Sequence, residues 1–353
     1  MASGALPWCA ANLFLRAHSD IPAMANVPHS SRASALPSVA WLLIAIATTI
    51  GAIDLVWEEK ANFAIAGSAY AGLAAVAGLC WAGGYLYQTW RPEPRLATML
   101  FGTGFLISFS AAASVLNAML LVVAGSRTDG VLAAADRALG FDWPNMMRAL
   151  ADHQTLLWAL QFAYNALLPE IALTVIVLGT LGHITSVYRF VLAVAIGALI
   201  CIFIWTLFPA FGAMSVYHLD PATAARLHVP VDEAYGQALI KMLHDGPGFI
   251  APDSAKGLIG FPSYHATLAF LLIWYLHDVP WLRWPALLFN GLVVLATPIE
   301  GGHHWVDVFA GVPVTILAVF GARKIFDLTS ALDDMRAVAP PSPSRDRRAT
   351  PLA

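Results

Sequence analysis

Three stretches of this chain contain no Asp, Glu, Lys or Arg: residues 61–90, 96–126 and 190–219. A charge-free run of about 18 or more residues is long enough to cross a bilayer as a helix. Several such runs in one chain cannot all be hidden inside a soluble domain. Composition agrees, with 12% charged and 59% hydrophobic residues in 353, against about 25% charged in ordinary soluble domains. The expected fold class is all-α: a polytopic membrane helix bundle, with the lipid bilayer as its first partner. The net charge of −3 is uninformative, and nothing in the chain suggests nucleic acid.

About eight transmembrane helices are expected, near 38–56, 62–88, 98–124, 154–181, 187–210, 263–279, 283–300 and 305–325. Trp41, Trp57, Trp90, Trp281 and Trp284 mark their ends, as an aromatic belt does at membrane interfaces. Small residues such as Gly67, Ala71 and Gly78 are expected to let helices approach closely. Residues 125–153 interleave Leu139, Phe141, Trp143, Met146 and Met147 with Asp136, Arg137, Asp142 and Arg148. That pattern reads as one or two interfacial helices. The longest connection, 211–262, is of the length that usually carries function. Residues 1–37 lack the basic and apolar regions of a signal peptide and read as a disordered tail, as do residues 327–353. Cys9, Cys80 and Cys201 are scattered and have neither metal nor disulfide spacing.

Orientation follows from Lys and Arg placement. With eight crossings the termini share a side, and that side holds 12 of the 19 basic residues, against 7 on the other. Both termini are therefore expected in the cytoplasm, with the protein in a bacterial inner membrane.

Two polar clusters break the apolar pattern: Phe261-Pro262-Ser263-Tyr264-His265 and Gly302-His303-His304-Trp305-Val306-Asp307. One apolar hairpin separates them, so they should meet on one membrane face, here the outer or periplasmic one. His303 and Asp307 stand at i and i+4, neighbours on a helical face. A carboxylate there can fix the tautomer of the imidazole and raise the nucleophilicity of its other nitrogen. His304 lies about 100° around the helix and cannot share that partner. Pro262 and Ser263 make a normal helix start, whose free N–H groups form an anion site beside His265. Lys256 is a nearby cation. Glu170 sits mid-span, where a charge costs about 2.5–3.5 kcal/mol, and so is a functional candidate.

The pairing of Pro262-Ser263-Tyr264-His265 with His303-His304-Trp305-Val306-Asp307 resembles the type 2 phosphatidic acid phosphatase superfamily. Its doubled histidine resembles the sphingolipid-synthase-like and inositol-phosphoryl-transferase branch. The resemblance implies a six-helix catalytic core, here about residues 96–326, with 38–95 as two additional helices. It implies a lipid phosphate substrate, a metal-independent mechanism and no cofactor. It also implies roles: His303 attacks phosphorus, Asp307 orients His303, and His265 protonates the leaving alcohol. Ser263, Lys256, Tyr264 and His304 are the candidate substrate-binding residues. Two basic positions of the family pattern are replaced, by Gly84 and by Ala296-Thr297. The expected activity is hydrolysis of a lipid phosphate monoester or pyrophosphate. A first alternative transfers a phosphoryl-alcohol head group between lipids. A second, of another class, is a transporter that binds metal through His303, His304 and Asp307.

Overall fold

The computed structural model describes residues 36–61, 64–227, 233–252 and 257–338. Eight long helices run back and forth: α1 (Ser38–Ala61), α2 (Gly67–Thr89), α3 (Pro94–Met119), α6 (Gln154–Thr180), α7 (Ile184–Leu207), α10 (Tyr264–Leu276), α11 (Arg283–Glu300) and α12 (Trp305–Val338). Four shorter helices lie in the connections: α4 (Asp129–Ala138), α5 (Trp143–Ala151), α8 (Pro221–Leu227) and α9 (Glu233–Asp245). Strands β1 (Ala64–Ile65) and β2 (Phe249–Ile250) pair in parallel. They tie the α1–α2 turn to the long connection that ends at α10.

Six of these helices are long and apolar enough to cross a membrane: α1, α2, α3 with its 3₁₀ extension, α6, α7 and α12. The hairpin α10–α11 is shorter than the sequence led one to expect. Helix α10 has 13 residues rather than the whole of 263–279, a rise of about 20 Å. It stops before the turn containing Asp278, Val279 and Pro280. Proline brings no N–H, and it disfavours helical geometry in the residue before it. Arg283 Nε closes the turn on the His277 carbonyl at 3.1 Å.

Helix α7 lies at the centre. Phe190, Val191, Leu192 and Ala193 are consecutive and all fully buried, so every face of its first half is covered. Around it, α1, α3, α6, α10, α11 and α12 share one apolar core. The outside of the bundle carries exposed apolar side chains such as Leu79, Leu168, Leu288 and Leu317, joined by Phe203 in the second half of α7, a lipid-facing girdle. Gly67 and Gly78 face open space; the close approach of α2 to α3 is at Gly84, where a Cβ would lie 2.6 Å from the Phe101 ring. Glu170 is half-buried and accepts from Asn290 Nδ2 at 2.8 Å. It thereby links α6 to α11 at mid-span, remote from the histidine clusters.

Both described ends of the chain meet. Asp333 accepts from the Ser38 backbone N–H at 3.0 Å and from the Ser38 hydroxyl at 2.6 Å, and Arg336 donates to that hydroxyl at 2.9 Å. This explains a departure from the expected 327–353 tail: α12 continues as helix to Val338 because its last turns cap the start of α1. Residues 1–35 and 339–353, expected as tails, lie outside the described residues. Even-numbered crossing predicts that Leu139 and Trp281, 59% and 62% exposed, lie on opposite sides. In a background without Cys9, Cys80 and Cys201, a membrane-impermeant maleimide on intact cells should label Leu139→Cys but not Trp281→Cys. The reverse pattern would invert the orientation, and labelling of both would break the topology.

Candidate active site

The site forms where α10 starts and α11 hands over to α12. Ser263 is the N-cap of α10, its Oγ accepting from the Ala266 N–H at 3.3 Å. Its backbone N–H donates to the Asp307 carbonyl at 3.0 Å, so the start of α10 is stitched to the first turn of α12. Residues 301–304 form the short link before α12. His303 lies in this link, 4% exposed. Its Nε2 is 3.4 Å from Ser263 Oγ, and its Nδ1 is 2.9 Å from the Gly260 carbonyl. A carbonyl only accepts, so Nδ1 carries the proton and Nε2 is left with its lone pair. The His265 and His303 ring centroids are 6.4 Å apart, and Tyr164 stacks on His265 at 4.5 Å and 15°.

Asp307 is fully buried, and its Oδ2 is 3.4 Å from His303 Nδ1. The Gly260 carbonyl is closer to that nitrogen, so orientation of the His303 ring is shared between a carbonyl and a carboxylate. The sequence assigned it to Asp307 alone. Asp307 Oδ2 also accepts from the His304 backbone N–H at 2.8 Å, which holds the link at the start of α12. Burial pulls the His303 imidazole down to about 4; the Gly260 carbonyl opposes this and the neighbouring His304 adds to it. His303 is therefore neutral, the form that can attack an electrophile, across the physiological range.

Sequence reasoning missed the residues that fix this link. Helix α4 carries Asp129 and Asp136, seven residues or two turns apart, 2% and 1% exposed. Asp136 accepts from the Trp305 and Val306 N–H groups, both at 2.9 Å. A side chain from another element thus caps the start of α12, satisfying donors that no helical carbonyl can reach. Burial alone would raise the Asp136 carboxyl, but the His304 ring and these two N–H groups outweigh it and hold the carboxyl below its ordinary value. Asp129 accepts from the Phe211 and Gly212 N–H groups at 2.7 and 2.8 Å and pairs with Arg127 at 2.9 Å. Ala213 N–H in turn donates to the Gly302 carbonyl at 2.5 Å. Two glycines make this junction possible. Gly212 and Gly302 have φ of +85° and +62°, and a Cβ on Gly212 would lie 2.3 Å from the Gly302 oxygen. A signal for both acids was in the sequence: Asp129, Leu132, Ala133 and Asp136 fall at i, i+3, i+4 and i+7, so the acids sit on the apolar stripe of α4.

Two candidates are placed elsewhere than the sequence suggested, and a third is not among the described residues. Tyr264 donates its hydroxyl to the Val194 carbonyl at 3.0 Å, which makes it a strut to α7 rather than a substrate contact. His304 is fully buried behind the site, its Nδ1 3.7 Å from Asp136 Oδ2. It is the last residue of the link, and its ring turns toward α4 while that of His303 does not. Lys256 lies outside the described residues. The metal-site alternative needed His303, His304 and Asp307 to converge; among the described residues no three His, Cys, Asp or Glu side chains do so.

Two outcomes follow for stability. Asp136→Ala leaves two half-buried N–H donors unpaired, at the lower end of about 1–3 kcal/mol each, so thermal unfolding in detergent should show a loss of about 2 kcal/mol, with Asp136→Asn losing less. His303 has a folded-state value near 4 against 6.5 unfolded, so between these values the unfolded chain binds more protons. Stability should be full above pH 6.5 and fall as pH drops toward 4, by about 3 kcal/mol in all. In His303→Asn that acid loss should shrink, read as melting temperature against pH.

No curated protein and no solved structure matches the chain. A family model described as the PAP2 superfamily matches residues 131–321. The match starts within α4 and ends within α12, taking in α6, α7, α10 and α11 and both histidine clusters, while α1, α2 and α3 lie before it. With more than half its length matched and its long apolar helices in place, the chain belongs to the PAP2 superfamily, as an integral membrane protein of a phosphatase- and phosphotransferase-type lipid enzyme family.

Proposed function

We propose that this protein transfers the phosphoryl group of a lipid phosphate to water through a phosphohistidine at His303. The observation that carries the reading is the grouping of His303 Nε2, the Ser263 hydroxyl 3.4 Å from it and the His265 ring, 6.4 Å from the His303 ring between centroids, around which the reading places one hollow for phosphate. His303 Nε2 attacks phosphorus, the N–P bond forms, and the bond from phosphorus to the lipid oxygen breaks. His265 gives its proton to the departing alkoxide. His303 then carries a phosphoryl group on Nε2 and a proton on Nδ1, hence a positive charge. The Gly260 carbonyl and the Asp307 carboxylate lie at 2.9 and 3.4 Å from Nδ1 and stabilise that charge as it develops. In the second half His265 takes a proton from water as its oxygen attacks phosphorus, and the N–P bond breaks. The N–H groups at the start of α10 are the anion-binding donors. A lipid reaches the hollow from the bilayer, with the site facing the outer compartment.

One observation favours a second reading, transfer of a phosphoryl-alcohol head group. Among the described residues, the arginines on this face are engaged elsewhere: Arg127 with Asp129, Arg137 with Tyr217, Arg148 with Asn145 and Arg226 with Asp152. A phosphodiester brings one negative charge to the site where a monoester brings up to two, so it needs less basic compensation.

Phosphate release from a panel of lipid phosphates, with EDTA present, tests the reading. His303→Ala should abolish turnover and the acid-labile phosphoprotein. His265→Ala should lose about 10²–10⁴-fold, the usual range for a general acid–base group. Asp307→Asn should lose about 10–100-fold, equivalent to roughly 1.4–2.7 kcal/mol of transition-state stabilisation. Unchanged turnover in folded His303→Ala would reject the mechanism, and dependence on added metal would reject its metal-free form. A product that appears only with an acceptor lipid would select head-group transfer.

A further inference from the structure

Glu300 is the last residue of α11 and 1% exposed. A buried acid three positions before the proposed nucleophile repels a phosphate, so binding phosphate is not its use. Its carboxyl meets the Gln161 side chain on one side. Its Oε2 has no hydrogen-bond partner among the described residues. Glu300 lines a cavity of about 620 Å³ together with Gln154, Thr155, Gln161 and Trp158. Leu157 and Leu227 supply its apolar wall, and Trp158, 69% exposed, its outer rim.

Glu300 and α6 link this cavity to the histidines, which do not line it themselves. Gly301 follows Glu300, and a Cβ there would lie 2.7 Å from His303 Cδ2 and 2.8 Å from the Tyr164 hydroxyl. Tyr164 feels the Glu300 charge and stacks on His265. Gln154, Gln161 and Tyr164 descend one helix, α6, from the rim of the cavity to the histidines. Among the described residues, the cavity's polar groups are the Glu300 carboxyl, two carboxamides that donate and accept, and a hydroxyl, with no cation. That set matches several hydroxyl groups on a compact carbon frame better than it matches any anion.

We propose that the Glu300 cavity is an alcohol subsite that takes a neutral polyol, free in solution or borne on a lipid head group. The proposal rests on the phosphohistidine reading above. One hydroxyl of the bound polyol faces the phosphorus held on His303. His265 takes its proton, the polyol oxygen forms the new O–P bond, and the P–Nε2 bond breaks with its electron pair returning to His303. Glu300 and Gln161 hold the other hydroxyls and keep the acceptor in competition with water.

The experiment uses the full chain in detergent with a lipid phosphate that it hydrolyses. Glycerol, inositol or ethanolamine is added, or vesicles carrying phosphatidylglycerol or phosphatidylinositol, and the ratio of phosphorylated alcohol to inorganic phosphate is read. Glycerol or inositol should be phosphorylated, and a soluble polyol and its lipid-borne form tell the two sources apart. Glu300→Gln keeps the size of the side chain and loses a charged acceptor, which should lower that ratio about tenfold. Thr155→Val, at the cavity and remote from the histidines, should lower it too and serves if the Gln variant does not fold. A ratio unchanged in both variants, no polyol product, or preference for ethanolamine would overturn the alcohol subsite while phosphate release persists. Absence of phosphate release and of phosphoprotein from the wild type would instead reject the phosphohistidine itself.

Discussion

The geometry of this site depends on two carboxylates gripping backbone N–H groups. Asp136 holds the first turn of α12, and Asp129 holds residues 211–212, next to Ala213, whose N–H donates to the Gly302 carbonyl. Both acids project from α4, two turns apart on one face. The four-residue link that carries His303 is therefore clamped from both of its sides by one rigid element. Charge-assisted bonds to N–H donors, made in a buried place, are stronger than neutral ones. They are also costly to break, because a buried donor without a partner keeps its full desolvation penalty. A catalytic imidazole on a short link would otherwise sample many orientations, and its nitrogen would seldom face a bound phosphorus.

The membrane bundle and the clamp divide the work. In the bundle, the first half of α7 is buried on every side and the outer helices present apolar faces to lipid. The bundle sets where helix ends emerge, so the start of α10, the end of α11 and the start of α12 share one face. It cannot set ring orientation to within a few tenths of an ångström, because apolar packing is not directional. That precision comes from hydrogen bonds at the rim: Gly260 and Asp307 on Nδ1, Ser263 at Nε2, and Trp143 Nε1 on the Pro298 carbonyl at 2.8 Å. The last of these satisfies a carbonyl that the ending helix α11 leaves free and so fixes the residue pair before Glu300.

Much of the site was legible because its signals are local. The spacing of His303 and Asp307 is one helical turn, and any helix brings such residues to one face. The Pro262-Ser263 start and the hairpin length bring His265 to the same rim. The roles of Asp129 and Asp136 were not legible in the same way. Their partners are backbone groups 82 to 170 residues away in the chain, and a backbone N–H leaves no mark in a sequence. The sequence read residues 125–153 as one or two interfacial helices with Asp136 among their polar residues, whereas only the place of both acids on the apolar stripe of α4 betrays burial. Tyr264 and His304 stand beside motif residues, but a helix turns about 100° per residue at Tyr264, and the backbone of the link turns the His304 ring away from that of His303. Each neighbour therefore faces a different element, α7 and α4 respectively.

By itself the sequence determined the class of fold and the chemistry available. Charge-free runs longer than a bilayer is thick admit only helices whose backbone groups are satisfied internally, and the histidine-carboxylate pair at their ends pointed to the family the chain belongs to. The tertiary structure decided which of the neighbouring polar residues stand at the candidate site and which turn into the rest of the protein. It gave Nδ1 of His303 to a backbone carbonyl as well as to Asp307, turned His304 away toward Asp136, and opened a cavity at Glu300. Such choices rest on contacts between segments far apart in the chain, where distance and direction exist only once the helices have packed.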